Sequence, residues 1–454
     1  MTQPVMYGQA VEAIAAAAAK IRTLLANEPV VICDLGGRLH VAVNMNRANI
    51  SAEVVALLTA ALANAGNHAA MGNTGLLARD DLYDPDAVFS NPDIGTYRQT
   101  IDSPSVLMLD RSIGGQDWLR SSQVERAGSR IPRLVFYGIK GGVGRSTAVA
   151  MCAYDLASAG KKVLVVDLDL ESPGLAGLLL GDDPMLDNHR MPDFGLIDWF
   201  AEDAVGQGNA LINRMTAESP LSAGMAGTIL VAPSAGRDDP HYVAKLSRVY
   251  GDVPEEDGPA GFGQRVGKLL AALEASVKPD VVLLDSRAGI HDIAAASIVR
   301  YADWTLLFAA DTASTWQAYR MLFQHWSRHP AVATEVRWRL AMVQSMLPES
   351  DQVARAQRFL ERSYDLFRDT LYDEIVAESG APHLDQPRGG SYDLKDEDAP
   401  HYPRRIKWSA RFQEFDTALI RAGIVDRADI DAAFGPVLGM VRSFAGLGAE
   451  SDES

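Results

Sequence analysis

A glycine-rich run between an apolar segment and a helix-forming segment constrains this chain more than any other feature. Residues 138–147 read Gly-Ile-Lys-Gly-Gly-Val-Gly-Arg-Ser-Thr and follow the apolar residues 134–137. A strand, a glycine-rich turn and a helix in this order predict a phosphate-binding loop. Gly141, Gly142 and Gly144 allow the backbone to wrap around phosphate oxygens, and N–H groups at the start of the helix then point towards the anion.

The loop departs from the usual sequence G-x-x-x-x-G-K-[ST] at two positions. Ile139 occupies the place of the first glycine, and Arg145 occupies the place of the lysine. A second cation, Lys140, lies early in the loop, and Ser146 is placed to bring its hydroxyl to a magnesium ion. Arginine is a charged fork rather than a point charge, so its exchange for lysine changes the chemistry of a phosphate pocket.

These residues resemble the deviant Walker A loop of the ParA/MinD ATPases, K-G-G-x-G-K-[ST], and most closely its KGGVGR-motif variants. The resemblance implies a P-loop ATPase that uses ATP and Mg²⁺. It also implies that Arg145 contacts the terminal phosphates within its own subunit, whereas Lys140 reaches the nucleotide of the partner in an ATP-dependent homodimer. The nucleotide-binding residues that it implies are Lys140, Gly141, Gly142, Val143, Gly144, Arg145, Ser146 and Thr147.

Two later apolar runs end in carboxylates. Residues 163–166 precede Asp167 and Asp169, and residues 281–284 precede Asp285. Continuous apolar runs of this kind are typical of buried parallel strands. Because ligands bind beyond the carboxyl ends of such strands, we expect these carboxylates to lie beside the phosphate loop.

The resemblance assigns roles to these carboxylates. It implies a magnesium site formed by Ser146, Asp167 and Asp285, with Asp285 at the Walker B position, where a carboxylate holds the metal through water. It implies that Asp169 orients or activates the water that attacks the terminal phosphate. The catalytic residues implied in this way are Asp169, Lys140 and Arg145.

Three positions near these strands leave alternatives open. Arg287, in the D-S-R-x-G segment, fits a contact with phosphate or with the partner subunit, and equally a salt-bridged loop residue. His291 beside Asp292 suggests catalysis, although a local cap or a surface pair is the more common role of such neighbours. Gln344 ends another apolar strand; the resemblance implies that it takes the place of the asparagine that helps to hold the base in ParA relatives, although side-chain amides are also common at strand ends.

Strands that alternate with helices predict βαβ units. We therefore expect a mostly parallel, doubly wound P-loop NTPase sheet with helices on both faces, together with a small N-terminal α/β extension. The predicted divisions are an N-terminal α/β accessory domain at 1–120, a linker at 121–130, an ATPase domain at 131–425 with insertions at 181–226 and 382–400, and a C-terminal helix with an acidic tail at 426–454. Within the extension, the pattern predicts helices at 10–26 and 52–65 and strands at 30–33 and 39–43.

The net charge of −17 bears on the partners of the protein. Nonspecific DNA binding depends on lysines and arginines that neutralise phosphates, so we expect weak or no binding to DNA. The compact basic run of Arg404, Arg405 and Lys407, with Arg411 nearby, is either a local DNA patch or ordinary surface charge beside a strand.

The composition indicates a cytoplasmic protein. Its hydrophobic content of 47% is ample for a core, and a run of about 18 uncharged apolar residues, as a membrane span requires, is absent from the sequence. Residues 1–10 lack the pattern of a secretion signal. Cys33 and Cys152 are expected to be reduced core thiols.

Two functions of different class are consistent with these features. The first is a slow Mg²⁺-dependent ATPase whose turnover times a dimer switch. The alternative is a nucleotide-binding regulatory or scaffold protein of a bacterial signalling or defence system, with little hydrolysis and a protein partner bound through the N-terminal domain. The carboxylate at Asp169 favours hydrolysis, whereas the wider role rests on family analogy.

Overall fold

The computed structural model describes eleven stretches of the chain, which are residues 4–25, 27–69, 75–100, 103–112, 115–119, 131–181, 190–237, 239–255, 258–373, 391–413 and 415–447. The predicted linker at 121–130 and the acidic tail lie outside these residues. The same holds for residues 182–189 of the first insertion and for residues 382–390 of the second.

The described residues form two compact units. The first comprises residues 1–120 and 323–335, and the second comprises residues 121–322 and 336–454. The domain boundaries predicted from the sequence place residues 323–335 in the ATPase domain, whereas in the structure these residues pack with the first unit. Trp326 explains this difference, because it is fully buried and donates a hydrogen bond to the carbonyl oxygen of Trp118 over 3.2 Å.

The first unit is built on a five-stranded mixed sheet in the order β3-β2-β1-β5-β4. Its strands are β1 (Val30–Cys33), β2 (Leu39–Val43), β3 (Leu76–Ala78), β4 (Gly95–Tyr97) and β5 (Val106–Asp110). Its helices are α1 (Tyr7–Leu25), α2 (Ala52–Ala65) and α3 (Asp86–Phe89). The predicted elements at 30–33, 39–43 and 52–65 are confirmed, and the first helix begins three residues earlier than predicted.

Helix α1 packs against this sheet through a helical stripe. Ala10, Ile14, Ala18 and Ile21 are fully buried, and their spacing of three to four residues places them on one helical face. They join the buried residues of β1, β2 and α2 in a single hydrophobic core. The alternation of buried and exposed positions along α1 therefore determines how the helix lies on the sheet.

The second unit contains an eight-stranded sheet in the order β13-β12-β11-β6-β10-β7-β9-β8. Its strands are β6 (Arg133–Gly138), β7 (Lys162–Asp167), β8 (Ala217–Glu218), β9 (Thr228–Ala232), β10 (Val281–Asp285), β11 (Trp304–Ala309), β12 (Leu340–Leu347) and β13 (Arg404–Lys407). All pairs are parallel except β8 with β9. The predicted mostly parallel sheet flanked by helices is confirmed.

The helices of the second unit follow its strands along the chain. They are α4 (Arg145–Ser158), α5 (Leu196–Asp203), α6 (Tyr242–Val249), α7 (Phe262–Val277), α8 (Asp292–Ala295), α9 (Ala313–Ser327), α10 (Pro330–Arg337), α11 (Gln352–Arg368), α12 (Thr417–Arg421) and α13 (Arg427–Phe444). Helices α9 and α10 contribute residues to both units. Two π-helical stretches, Gly177–Gly181 and Ala296–Tyr301, and short 3₁₀ turns complete the connections.

Helix α13 belongs to the core of the second unit, although the sequence division separates it from the ATPase domain. Its buried residues Ile430, Phe434, Val437 and Val441 pack in the same cluster as helix α4. Their helical spacing gives α13 one continuous apolar face. Helix α13 therefore packs into the hydrophobic core of the second unit.

Candidate nucleotide site

The phosphate loop joins the end of β6 to the start of α4. Gly142 and Gly144 both have φ of 73°, in the left-handed region, which glycine adopts without a steric cost. Within the described residues, the backbone N–H groups of Gly141, Gly142, Val143 and Gly144 form no hydrogen bond. These N–H groups and the start of α4 together provide the donors that an anion-binding loop needs.

Close contacts fix the base of the loop. A Cβ atom at Gly138 would lie 3.0 Å from the carbonyl oxygen of Lys140 and 3.0 Å from a methyl group of Val143, so a larger residue there would distort the turn. The N–H of Gly289 donates to the carbonyl oxygen of Gly138 over 3.1 Å. The hydroxyl of Tyr137 in turn donates to the carbonyl oxygen of Gly289 over 3.0 Å. The loop is therefore tied to the segment that follows β10.

Asp167 and Asp285 end neighbouring strands and are direct partners in the register of β7 and β10. Asp167 is fully buried. Its carboxylate accepts backbone N–H groups from Asp169 at 3.2 Å, Gly174 at 3.3 Å and Leu175 at 3.2 Å. Burial and the nearby charge of Asp285 raise the pKa of Asp167 to about 7. This arrangement shows that Asp167 organises the turn that carries Asp169.

Arg145 forms two buried ion pairs at the centre of the site. One terminal nitrogen of its guanidinium lies 2.8 Å from Oδ2 of Asp169, and its Nε contacts Oδ1 of Asp285. Burial disfavours the charge of Arg145, but Asp285 and Asp169 outweigh this effect and raise its pKa. The arginine thus holds together two carboxylates that lie 24 and 140 residues away in sequence.

Ser146 completes this cluster. Its hydroxyl donates to Oδ2 of Asp285 over 2.7 Å. Burial raises the pKa of Asp285, although Arg145 and Ser146 partly offset this effect. A hydroxyl and a carboxylate oxygen are hard oxygen ligands of the kind that Mg²⁺ prefers, and Mg²⁺ usually keeps several waters and binds phosphate oxygens as well. Ser146 and Asp285 therefore fit a magnesium ion that is bound together with a nucleotide.

The remaining residues of the predicted nucleotide site differ in how far they are buried. Lys140 is exposed and forms no ion pair with the residues that the structure describes, Thr147 is partly buried, and Val143 is buried. Gln344 ends the parallel pairing of β12 with β11 and is 2% exposed. Its Oε1 atom is buried and has no hydrogen-bond partner in the described part of the chain.

The loop after β10 shows the present contacts of the two residues with open alternatives, His291 and Arg287. The side chain of His291 accepts the N–H of Ile293 over 3.3 Å at the start of α8, so this histidine is a local cap. Arg287 forms an ion pair with Glu171. The salt-bridge alternative for Arg287 is therefore what the structure shows.

The sequence does not assign a role to three residues beside the site, which are Glu171, Tyr242 and Tyr250. Glu171 lies two positions after Asp169, and the hydroxyl of Tyr250 donates to it. The hydroxyl of Tyr242 donates to the carbonyl oxygen of Leu170 over 2.5 Å. Glu171 is close enough to the acidic motif to draw attention, whereas nothing in the sequence around Tyr250 indicates such a contact.

A family model described as the CobQ/CobB/MinD/ParA nucleotide binding domain matches residues 134–362, half of the chain. The chain belongs to this family. Membership in the family confirms the resemblance to ParA/MinD-type P-loop ATPases and agrees with the parallel sheet and the phosphate loop. No curated protein sequence matches the chain.

Several solved structures are similar to this member of the family. An ATP complex of Cyanothece McdA is 16% identical over 71% of this chain and 98% of that chain, with a TM-score of 0.40. The structure of pNOB8 ParA is 17% identical over 71% of this chain and 100% of that chain, with a TM-score of 0.42. Pyrococcus furiosus MinD is 22% identical over 49% of this chain and 74% of that chain, with a TM-score of 0.33. Because these TM-scores are low, the family assignment rests on the sequence match.

Two features bear on DNA and membrane binding, which are the basic run of Arg404, Arg405 and Lys407 and the hydrophobicity of the helices. Arg404 and Arg405 are partly buried and Lys407 is exposed on β13, an edge strand of the sheet. A terminal nitrogen of Arg404 donates to the carbonyl oxygen of Glu397 over 3.1 Å. None of the described helices is both long and apolar enough to span a membrane.

Proposed function

We propose that this protein binds ATP with Mg²⁺ at the phosphate loop and hydrolyses it slowly to ADP and phosphate. The observation that carries the proposal is one connected cluster, in which Arg145 contacts both Asp169 and Asp285 and Ser146 donates to Asp285, directly beside backbone N–H groups that form no hydrogen bond in the described structure. Donors for phosphate, ligands for a metal and a carboxylate for water lie at one sheet edge, as a P-loop ATPase requires.

Each residue has a specific role in this proposal. The N–H groups of residues 141–144 bind phosphate oxygens, and Ser146 and Asp285 hold the magnesium ion. The bound ion would neutralise charge on the terminal phosphates. Asp167 supports the metal site indirectly, since its oxygens accept the N–H groups of the turn that presents Asp169. Asp169 orients the attacking water.

Arg145 must exchange partners for this chemistry to occur. In the structure it neutralises both Asp169 and Asp285. When phosphate and metal enter, we expect the guanidinium to turn towards the phosphate oxygens, which accept two parallel N–H donors as carboxylates do. The cost of separating two buried ion pairs is one physical reason to expect slow turnover.

We also propose that ATP controls a homodimer. Lys140 is exposed on the loop and has no ion-pair partner among the described residues. Arg145 of the same subunit is already available to neutralise the charge of the phosphates. A two-fold interface would allow each Lys140 to contact the nucleotide of the other subunit. In light scattering, Asp169→Ala protein should gain dimer with ATP, and adding Lys140→Ala should remove it.

One observation favours the alternative, a nucleotide-binding regulatory protein with little hydrolysis. The carboxylate that should orient water, Asp169, forms an ion pair with Arg145. If this pair persists with ATP bound, the protein would report nucleotide binding without turnover. In either case we propose a cytoplasmic protein with weak nonspecific DNA binding, because its charge is −17.

Phosphate release from the full chain with ATP and Mg²⁺ separates the two functions. We expect measurable turnover that Asp169→Ala lowers by at least about tenfold, or about 1.4 kcal/mol of barrier, while ATP binding persists. Binding without turnover in the unaltered protein would favour the regulatory function. Equal turnover in Asp169→Ala protein would move the water-orienting role to another residue.

A further inference from the structure

The backbone around Arg287 is fixed against the phosphate loop on both sides. The N–H of Ser286 donates to the carbonyl oxygen of Phe136 over 3.1 Å, and the N–H of Gly289 donates to that of Gly138 over 3.1 Å. Phe136 and Gly138 belong to the strand that leads into the loop. Arg287 is therefore held beside the loop, two residues beyond Asp285.

Arg287 forms an ion pair with Glu171, which lies in the turn after β7 as Arg287 lies in the turn after β10. Glu171 lies two residues beyond Asp169, and its Oε1 atom contacts the guanidinium of Arg287 and accepts the hydroxyl of Tyr250. Its Oε2 atom is buried and has no hydrogen-bond partner in the described part of the chain. The pair thus links the turns after β7 and β10, but it uses only one oxygen of the carboxylate.

A second arginine pair in the same unit shows what a purely structural pair looks like here. Arg133 donates to both oxygens of Glu274, over 2.6 Å and 2.9 Å, and the two side chains are 6% and 8% exposed. The side chains of Arg287 and Glu171 are 29% and 22% exposed and lack the second contact. Since two parallel bonds make the strong form of this interaction, the Arg287 pair is the easier one to separate.

Charge balance gives a reason for the pair to separate. Asp169 and Asp285 lie at this edge, and Arg145 neutralises them. A terminal phosphate adds negative charge beside these carboxylates and gains from every cation within a few ångströms. Arg287 is already beside the loop, and a phosphate group offers it the two-oxygen contact that Glu171 does not provide.

We propose that Arg287 distinguishes ATP from ADP by exchanging Glu171 for the terminal phosphate. In the ADP-bound and nucleotide-free states it returns to Glu171, which Tyr250 keeps in place. The exchange would connect the presence of the terminal phosphate to the position of the turn that carries Asp169. This inference rests on the ATP site proposed above.

Binding of two nucleotides to four full-length variants tests the exchange. The probes are ADP and a non-hydrolysable ATP analogue with an imido bridge, each titrated with Mg²⁺ by calorimetry. The variants are Arg287→Ala, Arg287→Lys, Glu171→Gln and, as a matched control, Arg368→Ala. Arg368 is an exposed arginine paired with Asp365 at the end of α11, and its replacement should change neither affinity.

The proposed exchange predicts that replacing Arg287 weakens binding of the ATP analogue but not of ADP. Arg287→Ala should weaken binding of the ATP analogue by about tenfold or more, as the loss of a hydrogen bond to a charged group implies. The same variant should change the affinity for ADP by less than about twofold. Arg287→Lys should recover part of the loss, because it keeps the charge without the fork. Glu171→Gln should tighten binding of the ATP analogue, because it releases Arg287.

Other outcomes would overturn the inference in distinguishable ways. An equal change for both nucleotides in Arg287→Ala protein would show a structural role, and a weaker analogue affinity in Glu171→Gln protein would show that Glu171 positions the arginine rather than competing for it. Urea unfolding of each variant identifies any loss of fold. If the unaltered protein binds the ADP probe and the analogue probe equally poorly, the ATP site itself is wrong.

Discussion

A 2.8 Å ion pair joins Arg145 at the start of α4 to Asp169 beyond the end of β7. The same guanidinium contacts Asp285 at the end of β10, so a single side chain joins the phosphate loop to the carboxylates that follow both strands. The residue that replaces the usual loop lysine therefore serves as the counter-ion of the carboxylates. This relationship makes the stability of the site dependent on Arg145.

Replacing Arg145 should destabilise the nucleotide-free protein. Arg145→Ala leaves Asp169 and Asp285 buried without their counter-ion, which costs about 3–5 kcal/mol, and Arg145→Lys should cost less. Urea unfolding measures the change. Because a divalent cation can supply the missing charge, millimolar Mg²⁺ should restore part of the stability of Arg145→Ala protein, and unchanged stability in that variant would contradict the role of the ion pairs.

Ser146 should be required for the magnesium-dependent part of nucleotide binding. Its hydroxyl already contacts Asp285 at 2.7 Å, and we assign both groups to the metal. In a thermal-shift assay, ATP should stabilise Ser146→Ala protein equally with Mg²⁺ and with chelator, whereas the unaltered protein gains additional stability from Mg²⁺. Ser158→Ala is the matched control, since Ser158 lies on the same helix and donates to the carbonyl oxygen of Tyr154. A full Mg²⁺ response in Ser146→Ala protein would remove the serine from the metal site.

Two arginines of α13 should act together on helix α4. Arg442 and Arg427 both contact the buried carboxylate of Asp155, with nitrogen–oxygen distances of 2.7 Å from Nε of Arg442 and 2.6 Å from Arg427. Either arginine can neutralise Asp155, so each single alanine variant should cost only about 1 kcal/mol. The double variant leaves a buried charge unpaired and should cost about 3–5 kcal/mol. Urea unfolding gives these values, and strictly additive costs would show that the two contacts are independent.

His329 should make the protein sensitive to mild acid. Burial, followed by the charge of His325, lowers the pKa of His329 to about 3. Below the ordinary histidine pKa of about 6.5 the unfolded chain therefore binds a proton that the folded chain does not, and stability falls by up to about 1.4 kcal/mol per pH unit until the pH nears 3. Urea midpoints at several pH values measure this slope.

His329→Gln provides the comparison for that slope. A neutral amide does not titrate, so the variant should lose less stability than the unaltered protein as the pH falls. Because burial also lowers the pKa of His325, part of the slope should remain. Identical slopes in the two proteins would mean that His329 contributes nothing to acid sensitivity.

The phosphate loop and the strand ends could be predicted because their signals are local. Residues 138–147 carry the loop in one continuous motif, and Asp285 follows an apolar strand that is buried at every position. Strand order places neighbouring strand ends at one edge, so the proximity of Asp167 and Asp285 also follows from the topology. These features need no knowledge of distant side chains.

Contacts between distant segments could not be predicted. The partners of Arg145 depend on which direction a long side chain takes inside the folded site. The contact between Tyr250 and Glu171 joins a segment without any motif to the acidic turn. The burial of Trp326 against Trp118 brings part of a later helix into the first unit, and an amphipathic pattern alone does not identify the surface against which a helix packs.

Calorimetric titration of the full chain with ATP and Mg²⁺ tests the central claim most directly. We predict saturable binding of one ATP per chain at or below about 1 mM, within the usual range of enzyme affinities for substrates, and weaker binding when Mg²⁺ is chelated. A folded protein that shows no saturable heat with ATP under these conditions would contradict the account.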